Sequence, residues 1–306
     1  MSVLQQTKTA LGTDAVLTLS LDKAADAIFS ELWQYIDNFE QSFSRFLADS
    51  ELSRFNLRAG DTVPVSNEFK QLLLATNEMS EETQGLFNPF ILPALQRVGY
   101  EQSWVDPNRI GPDFSKRKIV SWKSLTIGTS DAHIPDNSAI DSGGIGKGFL
   151  LERLAELLAT HAVKNYWISL GGDIIARGKM DGQELWEIDI AQALDPRKPA
   201  ASVYVPETGS IAIATSGVTK RKGIKDGKNW HHIIDPTTGE SAQTDIMSAT
   251  VCLPSAVRAD VFASCIVACG STAYRTFADE HGIEDVMIQT HDRVEIVGNL
   301  IRGAHV

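Results

Sequence analysis

Apolar residues spaced three and four apart run through residues 22–47, DKAADAIFSELWQYIDNFEQSFSRFL. Ala25, Ile28, Phe29, Leu32, Ile36 and Phe39 fall on one stripe, which predicts an amphipathic helix. A second helix is predicted over 66–84, with Ser66 as its N-cap. GLFNPFILPAL, 85–95, is broken by prolines and reads as a loop with short turns. VSWKSLTIG, 120–128, reads as a strand. GKGFLLERLAELLATH predicts a third helix, with Leu150, Leu151, Leu154, Leu157 and Leu158 on one face. NYWISLGGDIIARG, 165–178, predicts a strand, a Gly-Gly turn and a second short strand. ELWEIDIA, SVYVPE, GSIAIAT, NWHHIID, SATVCLP and the late VEIVGNLI are further strands, and ADVFASCIVACG is a fourth helix. Strands come in neighbouring groups with helices interspersed, without regular βαβ alternation. That pattern predicts an α+β fold rather than a doubly wound parallel sheet.

Composition narrows the class without naming a function. The 306 residues suffice for one large domain or two small ones. No linker, repeat or low-complexity tract interrupts them, so residues 1–306 read as a single domain. The formal net charge of -11 repels a nucleic-acid duplex or an anionic membrane from the average surface. It leaves room for one anionic small molecule at a local basic or metal-bearing site. No stretch has the apolar length of a membrane span, and the first residues lack the pattern of a signal peptide, so a cytoplasmic location is expected. The cysteines, Cys252, Cys265 and Cys269, are too few and odd in number for a disulfide framework, and read as small buried side chains.

Against that background the segment DSGGIGKG, 141–148, stands out, because a lysine among glycines ahead of a helix suggests a phosphate cradle. It fails as a P-loop at both ends. With Gly146 and Lys147 as the G-K pair, Asp141 stands where the first glycine belongs and Gly148 where the hydroxyl belongs. Other stretches are ambiguous taken singly. SELSRFN, 50–56, reads as capping chemistry or the wall of a pocket. LGGDIIARG and IATSGV read as turns. HHIIDPTTGE holds a turn signature and His232, three residues before Asp235. Asp260 and Ser264 lie four apart on the predicted fourth helix and so share a face. Their oxygens suit a hard cation such as Mg²⁺, but on spacing alone a helix-start aspartate and a buried serine is the commoner arrangement.

Taken in order, SELSRFN, GLFNPFILPAL, DSGGIGKGF, SLGGDI, IATSG, HHIIDPTTG and AD-x-x-A-S resemble the ApbE family, the FAD:protein FMN transferases. The resemblance covers about Ser42 to the end of the Asp260 helix. It implies an ApbE-like domain of largely antiparallel sheets flanked by helices. It further implies transfer of the FMN half of FAD onto a threonine or serine of a target flavoprotein, with AMP released and Mg²⁺ as cofactor. Two alternatives share the motifs: an FAD pyrophosphatase, with water as acceptor, and a non-catalytic FAD-binding protein. By motif position Asp141 and Lys147 contact FAD, while Asn56, Leu86, Phe87, Asn88 and Ile233 line its flavin or adenine. The carbonyl of Gly144 with Asp260 and Ser264 would hold the metal, and His232 would be the general base. The family often has aspartate where Asn88 stands, and usually threonine where Ser264 stands. Serine keeps the ligating oxygen.

Overall fold

The computed structural model describes residues 2–21, 25–181 and 184–303. The chain begins with β1 (Ser2–Ala10) and β2 (Thr13–Leu21), then α1 (Asp26–Phe43), α2 (Glu51–Leu57), β3 (Thr62–Pro64), α3 (Asn67–Glu82) and α4 (Leu92–Val98). There follow β4 (Thr126–Ile127), β5 (Asp131–His133), α5 (Gly146–Thr160), β6 (Tyr166–Leu170), β7 (Asp173–Arg177), β8 (Glu187–Ala191) and β9 (Pro199–Tyr204). The last third holds β10 (Ser210–Gly217), β11 (Lys222–Lys225), β12 (Lys228–His231), β13 (Ser248–Leu253), α6 (Ala256–Cys269), α7 (Tyr274–Glu280), β14 (Asp285–Gln289), β15 (Val294–Val297) and β16 (Ile301–Gly303).

These elements form two compact units. The first comprises Met1–Asp37, Lys147–Thr219 and Thr244–Val306, and the second Asn38–Gly146 with Lys220–Gln243. In the first, an eight-stranded sheet runs β1-β2-β6-β7-β10-β13-β14-β15, and a three-stranded sheet runs β16-β9-β8. Every strand pair in both is antiparallel. Alternation sets the inner face: Ala15, Leu17 and Leu19 of β2 are buried. One apolar cluster joins Ile174, Ala176, Ile188, Ile190, Val203, Ile211 and Ile213. The central strand β13 is buried along its whole length, as befits a strand covered on both faces. The second unit is built from α2, α3, α4 and small sheets ordered β3-β5-β4 and β11-β12. The α+β class read from the pattern, with largely antiparallel sheets, is the class observed.

Local departures have identifiable causes. The predicted first helix spans 22–47, of which residues 22–24 lie outside the described residues. The described helix stops at Phe43, and α2 starts afresh at Glu51 because Ser50 caps it, accepting from Ser53 N at 3.0 Å. Ser66 caps α3 by accepting from Phe69 N, as expected. The prolines of 85–95 do not keep that stretch a loop. Pro89 opens a 3₁₀ turn and Pro93 occupies the first turn of α4, where the missing N–H costs nothing. Within the predicted 120–128 strand, Trp122–Ser124 is a 3₁₀ turn and only Thr126–Ile127 pairs. NWHHIID pairs as strand only to His231, so His232 stands just past the strand end.

Burial pushes the Cys269 thiol up to about 11, and Cys252 and Cys265 further still. All three are therefore thiols at neutral pH, unsuited to nucleophilic or metal-binding work. Among the described residues no helix is long and apolar enough to cross a membrane.

Candidate functional site

In the first unit the candidate residues converge on Lys147. The helix α5 starts at Gly146, so Lys147 projects from its first turn. Its ammonium makes ion pairs with the carboxylates of Asp173 and Asp260, the latter at 3.3 Å. Both carboxylates are nearly inaccessible, at 2 % exposure, while Lys147 keeps 20 %. Asp173 is placed by a tight hairpin. Gly171 and Gly172 both have positive φ, and Leu170 pairs with Asp173 across them, the geometry of a two-residue turn that glycine favours. The other oxygen of Asp173 accepts from Thr215 N at 3.0 Å, at the end of β10. Asp260 comes from the second turn of α6 and its Oδ2 accepts from Gly148 N at 3.0 Å.

That contact explains the last glycine of DSGGIGKG. A Cβ built at Gly148 would collide with the Ala256 carbonyl and stand 2.9 Å from Val257 Cα. Glycine lets the start of α6 lie against α5, so that Asp260 reaches the α5 backbone. Gly148→Ala is expected to destabilise the fold by about 1–3 kcal/mol through overpacking. Chemical denaturation measures this, and an unchanged midpoint would refute the packing role.

One turn beyond Asp260, the Ser264 hydroxyl lies 2.8 Å from the Ser216 hydroxyl, and Thr215 Oγ1 lies 2.9 Å from Thr250 Oγ1. The unit thus assembles two buried carboxylates, one ammonium and a set of hydroxyls. Every donor that could meet a cation there is a hard oxygen, which fits Mg²⁺ rather than a soft metal. Among the described residues no group of three or more His, Cys, Asp or Glu forms a metal cluster. A cation on these residues therefore needs oxygens besides carboxylates.

The second unit carries the other candidates. Asp141 is buried, and its carboxylate meets Arg45 Nε at 3.4 Å. Arg45 also donates to the Tyr100 carbonyl at 3.1 Å, and its guanidinium lies 4.3 Å from the Phe46 ring centre and 4.4 Å from that of Tyr100. Tyr100 stacks on Trp230 at 6.1 Å and meets the His232 ring edge-on at 6.3 Å. A continuous chain, Asp141–Arg45–Tyr100–His232, so links two motifs 91 positions apart in sequence.

Asn56 is fully buried, and its amide makes two 2.8 Å bonds with the backbone of Ile140, next to Asp141. Asn88 accepts from Phe90 N at 3.0 Å and donates to the Val120 carbonyl at 2.9 Å. An aspartate could make the first of these bonds but not the second, which accounts for asparagine at this position. Phe87 is buried and packs behind Gly144, where an added Cβ would stand 3.3 Å from its ring. Leu86 is half-buried and Ile233 buried.

The two histidines divide their roles. His231 N donates to Ser241 Oγ at 2.9 Å, Ser241 Oγ returns a bond to the His231 carbonyl at 2.7 Å, and the His231 Nε2 is 3.1 Å from the Ala242 carbonyl. His232 donates its backbone N–H to the Arg221 carbonyl and turns its ring to Tyr100. Asp235 closes the following turn by accepting from Thr237 N at 2.8 Å.

Arg45, Tyr100, Trp230 and Thr250 went unmarked in the sequence reading, and Asp173, Thr215 and Ser216 lay in marked stretches but were given no role. Asp173 did have a signal, a carboxylate directly after a Gly-Gly hairpin and inside an apolar strand. The aromatic partners had none, because only the fold brings them together.

Comparison with known proteins gives the family of the chain. The curated FAD:protein FMN transferase of Treponema pallidum is 28% identical over 297 residues, covering 90% of this chain and 80% of its own length. Its Vibrio cholerae counterpart is 27% identical over 269 residues, covering 86% and 79%. The crystal structure of the ApbE protein of Thermotoga maritima superposes with a TM-score of 0.84 over 97% of each chain at 22% identity. The flavin transferase ApbE of Vibrio cholerae does so with a TM-score of 0.77 over 97% of this chain and 98% of its own, at 25% identity. The family model that matches, over residues 11–287, is that of the ApbE family. The chain belongs to the ApbE family.

Proposed function

We propose that this protein is an FAD:protein FMN transferase, moving the FMN half of FAD onto a threonine or serine hydroxyl of a target flavoprotein and releasing AMP. The observation that carries this reading is the ion pair of Asp260 on α6 with Lys147 at the start of α5, with Ser264 one turn further along the same helix. It supplies acidic oxygens for a divalent cation and an ammonium for phosphate in one compact cluster. Asp260 and Ser264 would hold Mg²⁺. When bound, the cation neutralises pyrophosphate oxygens and stabilises charge on the departing AMP.

The protein's own groups do the rest. Lys147 adds a point charge toward phosphate oxygens. FAD contacts are assigned to Leu86, Phe87, Asp141 and Ile233, with Asn56 and Asn88 setting the shape of that lining through their backbone bonds. His232 takes the proton of the acceptor hydroxyl as its oxygen bonds to the FMN phosphorus and the bond from that phosphorus to the AMP oxygen breaks. Such general base catalysis contributes roughly 10²–10⁴-fold. The Tyr100 ring and the Arg221 carbonyl fix the position of His232. Residues 1–306 are assigned to one flavin-transferase domain.

Incubation with FAD, Mg²⁺ and candidate targets, followed by intact-mass measurement, tests this reading. An FMN-sized gain on a target is the expected result. AMP release without that gain identifies an FAD pyrophosphatase, and binding without either product a passive flavin protein. Both outcomes overturn the transferase.

A further inference from the structure

The ion pairs around Lys147 carry a consequence for cation binding that rests on the reading just given. Asp260 Oδ2 accepts from Gly148 N, which leaves Oδ1 as the oxygen not tied to the backbone and the one offered to a cation. Lys147 Nζ already stands 3.3 Å from that Oδ1. An ammonium and a divalent ion cannot share one carboxylate oxygen at close range without strong mutual repulsion. Lys147 has a second carboxylate within reach, Asp173, and it is already in contact with it. Asp173 in turn is fixed by Thr215 N through its other oxygen. The trio of one ammonium and two carboxylates has one negative charge in excess, at carboxylates only 2 % exposed. Burial of unbalanced charge is unfavourable, and a divalent ion reverses the sign of the cluster, leaving it complementary to a pyrophosphate.

We propose that Lys147 is the internal competitor of the divalent cation for Asp260, and that Asp173 is a positioning residue that retains the ammonium when the cation takes Oδ1. Asp173 so keeps Lys147 beside the cation, ready for phosphate, and supplies the negative charge that draws the cation in. The two residues act on cation affinity with opposite sign.

Titration calorimetry with Mn²⁺ alone, without FAD, tests this directly. Lys147→Met is expected to bind Mn²⁺ at least about tenfold more tightly than wild type, because the competitor is gone. Lys147→Arg keeps the charge and should bind no more tightly than wild type. Asp173→Asn is expected to bind at least about tenfold more weakly. The asparagine Oδ1 can still accept from Thr215 N, so a residue that served only that backbone contact would leave Mn²⁺ affinity unchanged. Asp260→Asn should abolish the signal, which assigns it to this seat. Unchanged or weaker Mn²⁺ binding by Lys147→Met overturns the competition, and unchanged binding by Asp173→Asn overturns its positioning role. Should Asp173→Asn not fold, Lys147→Met, at a partly exposed position, decides alone. Mn²⁺ uptake by neither wild type nor Lys147→Met overturns the cation seat itself as well as the competition for it.

Discussion

Asp260→Asn is expected to lower FMN transfer at saturating FAD and Mg²⁺ by about a thousandfold, the loss of several kcal/mol of transition-state charge stabilisation that a bound cation supplies. Asparagine preserves the shape and can still accept from Gly148 N, so the helix contact to α5 survives. What it removes is one of two buried negative charges beside Lys147. The ammonium then pairs with Asp173 alone, and the seat loses its attraction for a divalent ion. The substitution separates packing from chemistry: the unfolding midpoint should stay near that of wild type while turnover collapses. Single-turnover transfer to a target, read by intact mass, measures the loss. Ser264→Thr provides the contrast, since the oxygen remains and activity should persist. Ser264→Val removes both that oxygen and the contact to Ser216, and should impair turnover. Wild-type turnover by Asp260→Asn would refute the metal assignment.

Why some of this was legible in sequence and some was not comes down to the range of the interactions. Helical periodicity is local, so α3 could be read with its N-cap and α5 with its apolar face. The hairpin β1–β2 escaped notice because its turn is Leu11-Gly12, both at positive φ, and a leucine there hides the usual turn chemistry. The turn between β11 and β12 is Asp226-Gly227, an ordinary hairpin signal, yet β11 was missed because KGIK is too short and too charged to look like a strand. At the site, residue types within one motif were visible, but the partners that place them were not. Asp141 depends on Arg45, and His232 on Tyr100, contacts that bridge distant parts of the chain. The match of motif order to a family supplied what spacing alone could not, and the Lys147–Asp173 pair lay outside even that.

His232→Ala should slow flavin transfer by at least roughly a hundredfold with little change in FAD affinity, because a general base acts in the transition state and adds little to ground-state binding. The neighbouring histidine is the control, and the structure gives it a different task. His231 is tied into the β12 end through Ser241 and the Ala242 carbonyl, so His231→Ala should transfer flavin at near the wild-type rate but unfold more readily. Burial pushes the His231 imidazole below its ordinary value, and its backbone hydrogen bonds to Ala242 and Ile233 offset part of that. The folded protein thus holds this ring neutral more strongly than the unfolded chain does. Its contribution to stability is fully present above the unfolded value of about 6.5 and is lost as pH falls from there toward the lower folded value. Melting temperature should therefore fall between pH 7 and pH 5, and fall less in His231→Gln, which cannot take up a proton. Transfer kinetics and melting curves on the same two variants then separate base from scaffold. A slow His231→Ala beside a fast His232→Ala would exchange the two roles and remove His232 from the chemistry.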